Sequence, residues 1–162
     1  MKVLIVSDTH RRDENLKEAI EQTKPFDMLI HLGDAEGSEE LIAGWLDRDC
    51  KAAMVLGNND FFSDLEKEVE VDIGAYHTLL THGHYYNVSL GVEGLVREAK
   101  ARSCNMVMYG HTHRPYLEEV DGIIVVNPGS ISYPRQEGRQ PTYLILELDE
   151  EGKLHFQLKH LS

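Results

Sequence analysis

An α/β fold built around parallel strands is predicted by two features of the 162-residue sequence. In the first part of the chain, short apolar runs alternate with helix-like stretches in the order strand, helix, strand, helix, strand, the signature of βαβ units. Five apolar runs also end at a short polar island: Asp8-Thr9-His10, Gly33-Asp34, Gly57-Asn58-Asn59-Asp60, Thr81-His82-Gly83-His84 and Gly110-His111-Thr112-His113. Residues just past the C-terminal ends of neighbouring strands gather at one edge of an open sheet, where α/β proteins bind their ligands. Islands far apart in sequence are therefore expected to share one pocket.

The elements follow in order. Residues 2–6 are apolar and β-branched after the first, as in a strand buried on both faces. A helix is expected from Asp13, with Leu16, Ala19 and Ile20 on one side and Pro25 closing the segment. Residues 28–31 form a second buried strand. Ser38 suits an N-cap for a helix over 39–46, although Leu41 in place of Glu or Gln denies it a full capping box. Residues 52–56 form the third strand. Charged and apolar residues then alternate over 66–72, residues 73–75 can turn, and 76–81 runs back to His82, which predicts an antiparallel hairpin. A helix over 89–102 turns Val92, Leu95, Val96 and Ala99 inward. Residues 106–109 are the next strand; 116–120 and 123–126 flank an Asp121-Gly122 turn, and 142–148 and 154–158 flank Gly152. Pro, Gly and polar residues over 133–141 make that the least ordered stretch.

Composition bounds the function. The length suits one domain, residues 1–162, and 41% apolar with 27% charged residues is the balance of a globular protein in water. The apolar run at 3–6 is too short for a secretory core and nothing is long enough to span a bilayer, so a cytoplasmic protein without membrane contact is expected. A net charge of −12 argues against nucleic acid as a partner, because such affinity comes from Lys and Arg neutralising phosphates. Cys50 and Cys104 lack a Cys-x-x-Cys spacing and are expected to be small reduced apolar residues.

The islands hold carboxylates, a carboxamide and at least four imidazoles, more than one divalent ion needs when a catalytic zinc takes about three protein ligands. Two ions are the simpler reading. At roughly 3.5 to 4 Å apart they can share a bridging carboxylate and a water that ionises near neutral pH, and both can polarise a phosphoryl oxygen. Hydrolysis of a small phosphate ester is the chemistry implied. Imidazole and oxygen donors without thiolate favour manganese, iron, zinc, cobalt or nickel over calcium or magnesium.

The order Asp-x-His, Gly-Asp, Gly-Asn-x-Asp, Gly-flanked His and Gly-His-x-His resembles the calcineurin-like metallophosphoesterases, in particular their small bacterial and archaeal phosphodiesterase branch, over residues 3 to about 130. The resemblance implies a four-layer αββα sandwich of mixed sheets. It implies that Asp8, His10, Asp34 and His113 hold one metal and that Asp34, Asn58, His82 and His111 hold the other, Asp34 bridging, with manganese the first choice and a dimer or tetramer as the assembly. It also implies that the Asn127-Pro128-Gly129-Ser130 turn lines the pocket. One position departs from the pattern: where larger members carry a leaving-group histidine after the ligand asparagine, this chain has Asn59, whose neutral amide donates no catalytic proton at pH 7. His84 is the substitute acid within the islands, with a metal-activated water as the other option, and substrates with good leaving groups are expected.

Each motif has a plainer reading when taken alone. Gly110-His111-Thr112-His113 could be surface loop, Asp8-Thr9 a helix start, and Asp34 and Asn58 turn residues; their joint order supports the metal reading. Asp60 is expected to orient Asn58 or a ligand histidine. Arg11, Arg114 and Arg135 stand near the islands, and Arg135 is the best placed of them for a forked contact with substrate phosphate. His31, His77, His155 and His160 are read as ordinary packed or exposed residues. The rival function is a non-catalytic docking scaffold of the same fold, because the resemblance extends to a retromer subunit that has lost metal-site histidines; this chain keeps them.

Overall fold

The computed structural model describes residues 1–161. Its elements are β1 (Lys2–Val6), α1 (Glu14–Thr23), β2 (Met28–His31), α2 (Glu39–Ala43), β3 (Lys51–Met54), β4 (Glu68–Ile73), β5 (Tyr76–Thr81), α3 (Glu93–Ala101), β6 (Met106–Met108), β7 (Pro115–Val120), β8 (Ile123–Pro128), β9 (Thr142–Leu148) and β10 (Leu154–His160). They form two five-stranded sheets, ordered β10-β9-β1-β2-β3 and β4-β5-β6-β8-β7. Both are mixed: β1, β2 and β3 run parallel, with β9 antiparallel to β1, while β5, β6 and β8 run parallel between antiparallel edges β4 and β7.

The period of two in β1 accounts for the layering. Val3 and Ile5 point to one side, where they meet Leu80, Met106, Met108 and Val126 of the second sheet; Leu4 and Val6 point to the other, where they meet Leu16, Ala19, Ile20 and Ile42 of α1 and α2. A third cluster packs Leu95, Val96 and Ala99 of α3 on Leu79, Val107 and Val125. Helices, sheet, sheet and helix thus stack as the expected αββα sandwich. Burying a strand residue such as Leu4 fully is worth roughly 1.5–3 kcal/mol, so a one-residue slip of β1, which would exchange its two faces, is strongly opposed.

Several boundaries differ from the sequence reading, each for a local reason. The second helix, expected over 39–46, stops at Ala43: Gly44, a weak helix former, follows, and Trp45 and Leu46 pack against the α1–α2 core instead. Ser38 stands at its N-cap without a side-chain bond. The third helix, expected from 89, begins at Glu93, because Asn87 (φ 53°) and Gly91 (φ 149°) take left-handed backbone that no helix continues through. The third strand, expected over 52–56, ends at Met54; the Leu56 amide donates to Glu66 O at 2.8 Å and leaves the first sheet. Among the described residues no helix is long and apolar enough to cross a membrane. The C-terminal ends of β1, β2 and β3 in one sheet and of β5 and β6 in the other carry the five polar islands, and the end of β8 carries the Asn127–Ser130 turn.

Candidate metal centre

The donor atoms of the islands converge. Asp8 Oδ1 lies 3.2 Å from His113 Nε2 and 3.6 Å from His10 Nε2, and these two nitrogens are 3.2 Å apart. On the other side, Asn58 Oδ1 is 2.9 Å from His82 Nε2 and 3.2 Å from His111 Nδ1. Asp34 Oδ2 stands between the groups, 3.7 Å from His10 Nε2 and 3.4 Å from His82 Nε2. Metal bonds of about 2.1 Å place adjacent ligand atoms roughly 3.0 to 3.4 Å apart, so the spacings suit divalent ions. Asp8 Oδ1 is an independent sign: it is buried and lacks any hydrogen-bond partner, a costly state for a carboxylate oxygen unless a cation meets it.

The second side-chain atom of four donor groups is fixed from behind. His113 donates its Nδ1 proton to Tyr133 O at 2.6 Å, His82 to Leu32 O at 2.7 Å and His10 to the Glu36 carboxylate at 2.8 Å, which leaves Nε2 of each ring facing the cage. Asp8 Oδ2 accepts from Ser7 Oγ and from the His111 amide, turning Oδ1 inward. Ser130 Oγ donates to Asp8 O, and Asn127 Nδ2 donates to Gly110 O and Thr112 Oγ1. The Asn127–Ser130 turn therefore braces the islands; expected to line the pocket, it stands buried behind them.

Backbone strain is concentrated at the same residues. Asp8, His10, Asp34, His111 and His113 all have positive φ, between 48° and 68°, a conformation that costs a non-glycine residue of order 1 kcal/mol or more and persists only where surroundings enforce it. Two glycines allow the close approach. A Cβ on Gly57 would enter the Asp34 carboxylate, and one on Gly110 would overlap Ser7 Oγ.

Charge in the cage is strongly coupled. Burial alone would raise the Asp8 pKa, yet the surrounding imidazoles of His10, His113 and His82 hold it well below the usual carboxylate range. Burial would lower His82, but Asp34 and Asp8 push it up to about 9. His82 thus holds a proton that a divalent ion must displace. His111 and His84 are held below the ordinary imidazole value, first by burial and then by His82.

The remaining sequence candidates fall in distinct places. His84 opens a short 3-10 turn, its ring 5.4 Å from that of His82 and its buried Nδ1 without a partner. Asn59 turns onto Asp34, donating its amide to Oδ1 (2.8 Å) and its side chain to Oδ2 (3.1 Å). Asp60 was expected to orient Asn58 or a histidine; its carboxylate instead accepts the amides of Asp34 (2.9 Å), Glu36 (2.6 Å) and Gly57 (2.7 Å), because these are the amides that the tight loops leave facing it. Arg135 is exposed on the wall of a cleft of about 740 Å³ that also contains His10 and His113, and Arg114 shares it, whereas Arg11 is tied to Glu36 O. The 133–141 segment has no helix or strand but is pinned, with Arg135 N donating to His113 O at 3.1 Å. Glu36 and Ser7 escaped sequence reasoning, although Ser7 directly precedes Asp8 and Glu36 lies two residues past Asp34, each beside an island.

A two-sheet sandwich with oxygen and imidazole donors gathered at its strand ends is an architecture suited to metal-dependent hydrolysis. The chain belongs to the calcineurin-like phosphoesterase superfamily, whose domain matches residues 1–151, and is a hydrolase acting on phosphoester bonds. It is 32% identical over 153 residues to a probable metallophosphoesterase of Bacillus subtilis, covering 94% of this chain and 87% of the relative. It is also 32% identical over 145 residues to a phosphodiesterase of Methanocaldococcus jannaschii, covering 80% and 83%. Among solved structures, an archaeal phosphodiesterase aligns with a TM-score of 0.72 at 27% identity, covering 98% of this chain and 100% of that one. Zinc-complexed Vps29 of Entamoeba histolytica shares the fold, with a TM-score of 0.77 at 20% identity and 99% of each chain covered.

Proposed function

We propose that the chain is a single-domain dinuclear phosphodiesterase of the cytoplasm, acting on a small phosphate ester and using manganese first among divalent transition metals. The observation that carries the reading is the placement of Asp34 Oδ2 between His10 and His82, one carboxylate oxygen facing both donor groups. Asp8, His10, Asp34 and His113 would hold one ion, and Asp34, Asn58, His82 and His111 the other. Two such ions, when bound, supply a nucleophile from water near neutral pH and Lewis acidity toward the phosphoryl oxygens.

The chain's own residues do the rest. Asn59 fixes both oxygens of Asp34 and so holds the bridge in position. His84, at the rim beside His82 and His111, assists departure of the leaving group, either directly or through water. Arg135 meets substrate beyond the metal centre. An assembly of two or four copies is part of the same reading. The rival reading, a non-catalytic docking scaffold of the same fold, is disfavoured by the full set of donors that this chain keeps.

The test is hydrolysis of an activated phosphodiester or monoester by the manganese-loaded protein. Absence of turnover with metal occupancy confirmed by elemental analysis would remove the catalytic claim. For His84→Ala, an unchanged pH–rate profile and turnover would exclude that residue as the acid.

A further inference from the structure

The cleft of about 740 Å³ beside His10 and His113 is walled by Arg114, Arg135 and Arg139. The chain has 28 acidic residues against 16 Lys and Arg, so carboxylate partners are abundant. Yet among the described residues the ion pairs of Lys and Arg involve only Lys24, Lys100 and Arg102, and none of the three cleft arginines. The carboxylate in the cleft, Glu36, is engaged by His10 at 2.8 Å. Three guanidinium groups without counter-ions therefore stand next to a centre built to collect cations. With two divalent ions bound, guanidinium groups beside the centre add further positive charge, which an anion would balance.

That anion is distinct from the scissile phosphate. A diester carries one negative charge at phosphorus, and the metal centre accounts for it. The arginines lie to one side at a distance fixed by His113: its Nδ1 bonds Tyr133 O, its carbonyl accepts from Arg135 N, and Arg114 follows it in the chain. Arg114 and Arg135 also border a second cleft of about 580 Å³, where Val88, Val92, Tyr109 and Tyr116, whose tyrosine rings stand 6.4 Å apart, line the wall together with the polar Thr112 and Glu93. Its size and aromatic side chains suit a planar organic arm.

Resting on the phosphodiesterase reading, we propose that the substrate is a small diester bearing a second anionic group, a phosphate or carboxylate, on an arm with an aromatic or heterocyclic part, as in a nucleotide. Arg114, Arg135 and Arg139 form the subsite for that group, which the forked guanidinium recognises through paired hydrogen bonds. Hydrolysis at the metal centre adds water across one P–O bond and releases a monoester and an alcohol; the second anion is untouched.

The test compares kcat/KM of the manganese-loaded enzyme for 4-nitrophenyl phosphodiesters whose other arm is methyl, thymidine, 2-carboxyethyl or thymidine 3′-phosphate. The anionic arms are expected to exceed their neutral counterparts by about tenfold or more, mainly through KM, with the advantage shrinking as salt rises. The phosphate and carboxylate arms identify which anion is preferred. In Arg135→Ala, and further in the Arg114→Ala/Arg135→Ala/Arg139→Ala variant, the ratio of anionic to neutral rates should fall toward one. Equal kcat/KM for all four esters in an enzyme that turns them over, or a ratio that survives in the triple variant, overturns the subsite alone. No hydrolysis of any ester by metal-loaded protein overturns the underlying reading as well.

Discussion

His10 and His113 face each other through their Nε2 atoms at 3.2 Å, while Nδ1 of each ring is bonded to an oxygen, of Glu36 and Tyr133 respectively. As neutral imidazoles they present lone pairs to one another. Only a shared cation or a trapped proton makes that favourable, and Asp8 Oδ1, 3.2 Å from His113, adds negative charge to the same point.

Metal is accordingly expected to stabilise the fold. Free manganese at about 100 times its dissociation constant should add roughly 2.7 kcal/mol per site, or several degrees in melting temperature for a chain of this size. A chelator should reverse the shift. A melting temperature that responds to neither would contradict the metal centre.

Glu36→Gln keeps the shape of the side chain but removes the charge that His10 Nδ1 meets. Affinity for one of the two ions should drop about 10- to 100-fold with little change in unfolding free energy measured without metal. Calorimetric titration resolves the two sites, and two unaltered affinities would rule out this role for Glu36.

Asp60→Ala removes the acceptor for three loop amides, of Asp34, Glu36 and Gly57. Left buried and unpaired, these donors should cost on the order of 2–4 kcal/mol in denaturant unfolding, and manganese uptake should weaken because Asp34 loses its anchored backbone. A variant as stable as the parent would show that water replaces the carboxylate.

His31 gives the stability a pH dependence. It is 1% exposed, its Nδ1 accepts from Gly33 N and its Nε2 donates to Thr9 Oγ1, and burial pushes its pKa down to about 4. Below the unfolded value of about 6.5 the open chain takes up a proton that the folded ring refuses. The contribution of the neutral ring is thus complete above about pH 6.5 and is lost as pH falls toward 4, by at most about 3 kcal/mol. In His31→Gln the decline of unfolding free energy over this range should be correspondingly shallower; an identical slope would assign it elsewhere.

The residue patterns show how far local reading reaches. β1 and β2 follow from continuous apolar runs, β4 from alternation, and the inward faces of α1 and α3 from spacings of three to four, which each segment displays alone. The late start of α3 depends on the backbone at Asn87 and Gly91, where the apolar spacing still reads as helix. His31 looked like ordinary packing because its partners, Thr9 and Gly33, belong to two different islands. Glu36 and Ser7 carried no pattern, since their roles rest on contacts that fold the chain back on itself or turn a neighbour's carboxylate.

Amino-acid order alone specified the strand and helix alternation, the edge at which the islands would meet and the chemical kinds of donor they would bring, because each of these is a property of neighbouring residues. Packing of one sheet on the other decided the rest: which atom of Asp8, His10, His82 and His113 turns inward, how Asp34 comes to face both groups, and why three arginines share one cleft without an ion pair among the described residues. Those outcomes depend on distances of a few ångströms between residues many positions apart, which no stretch of chain carries until both sheets are in place.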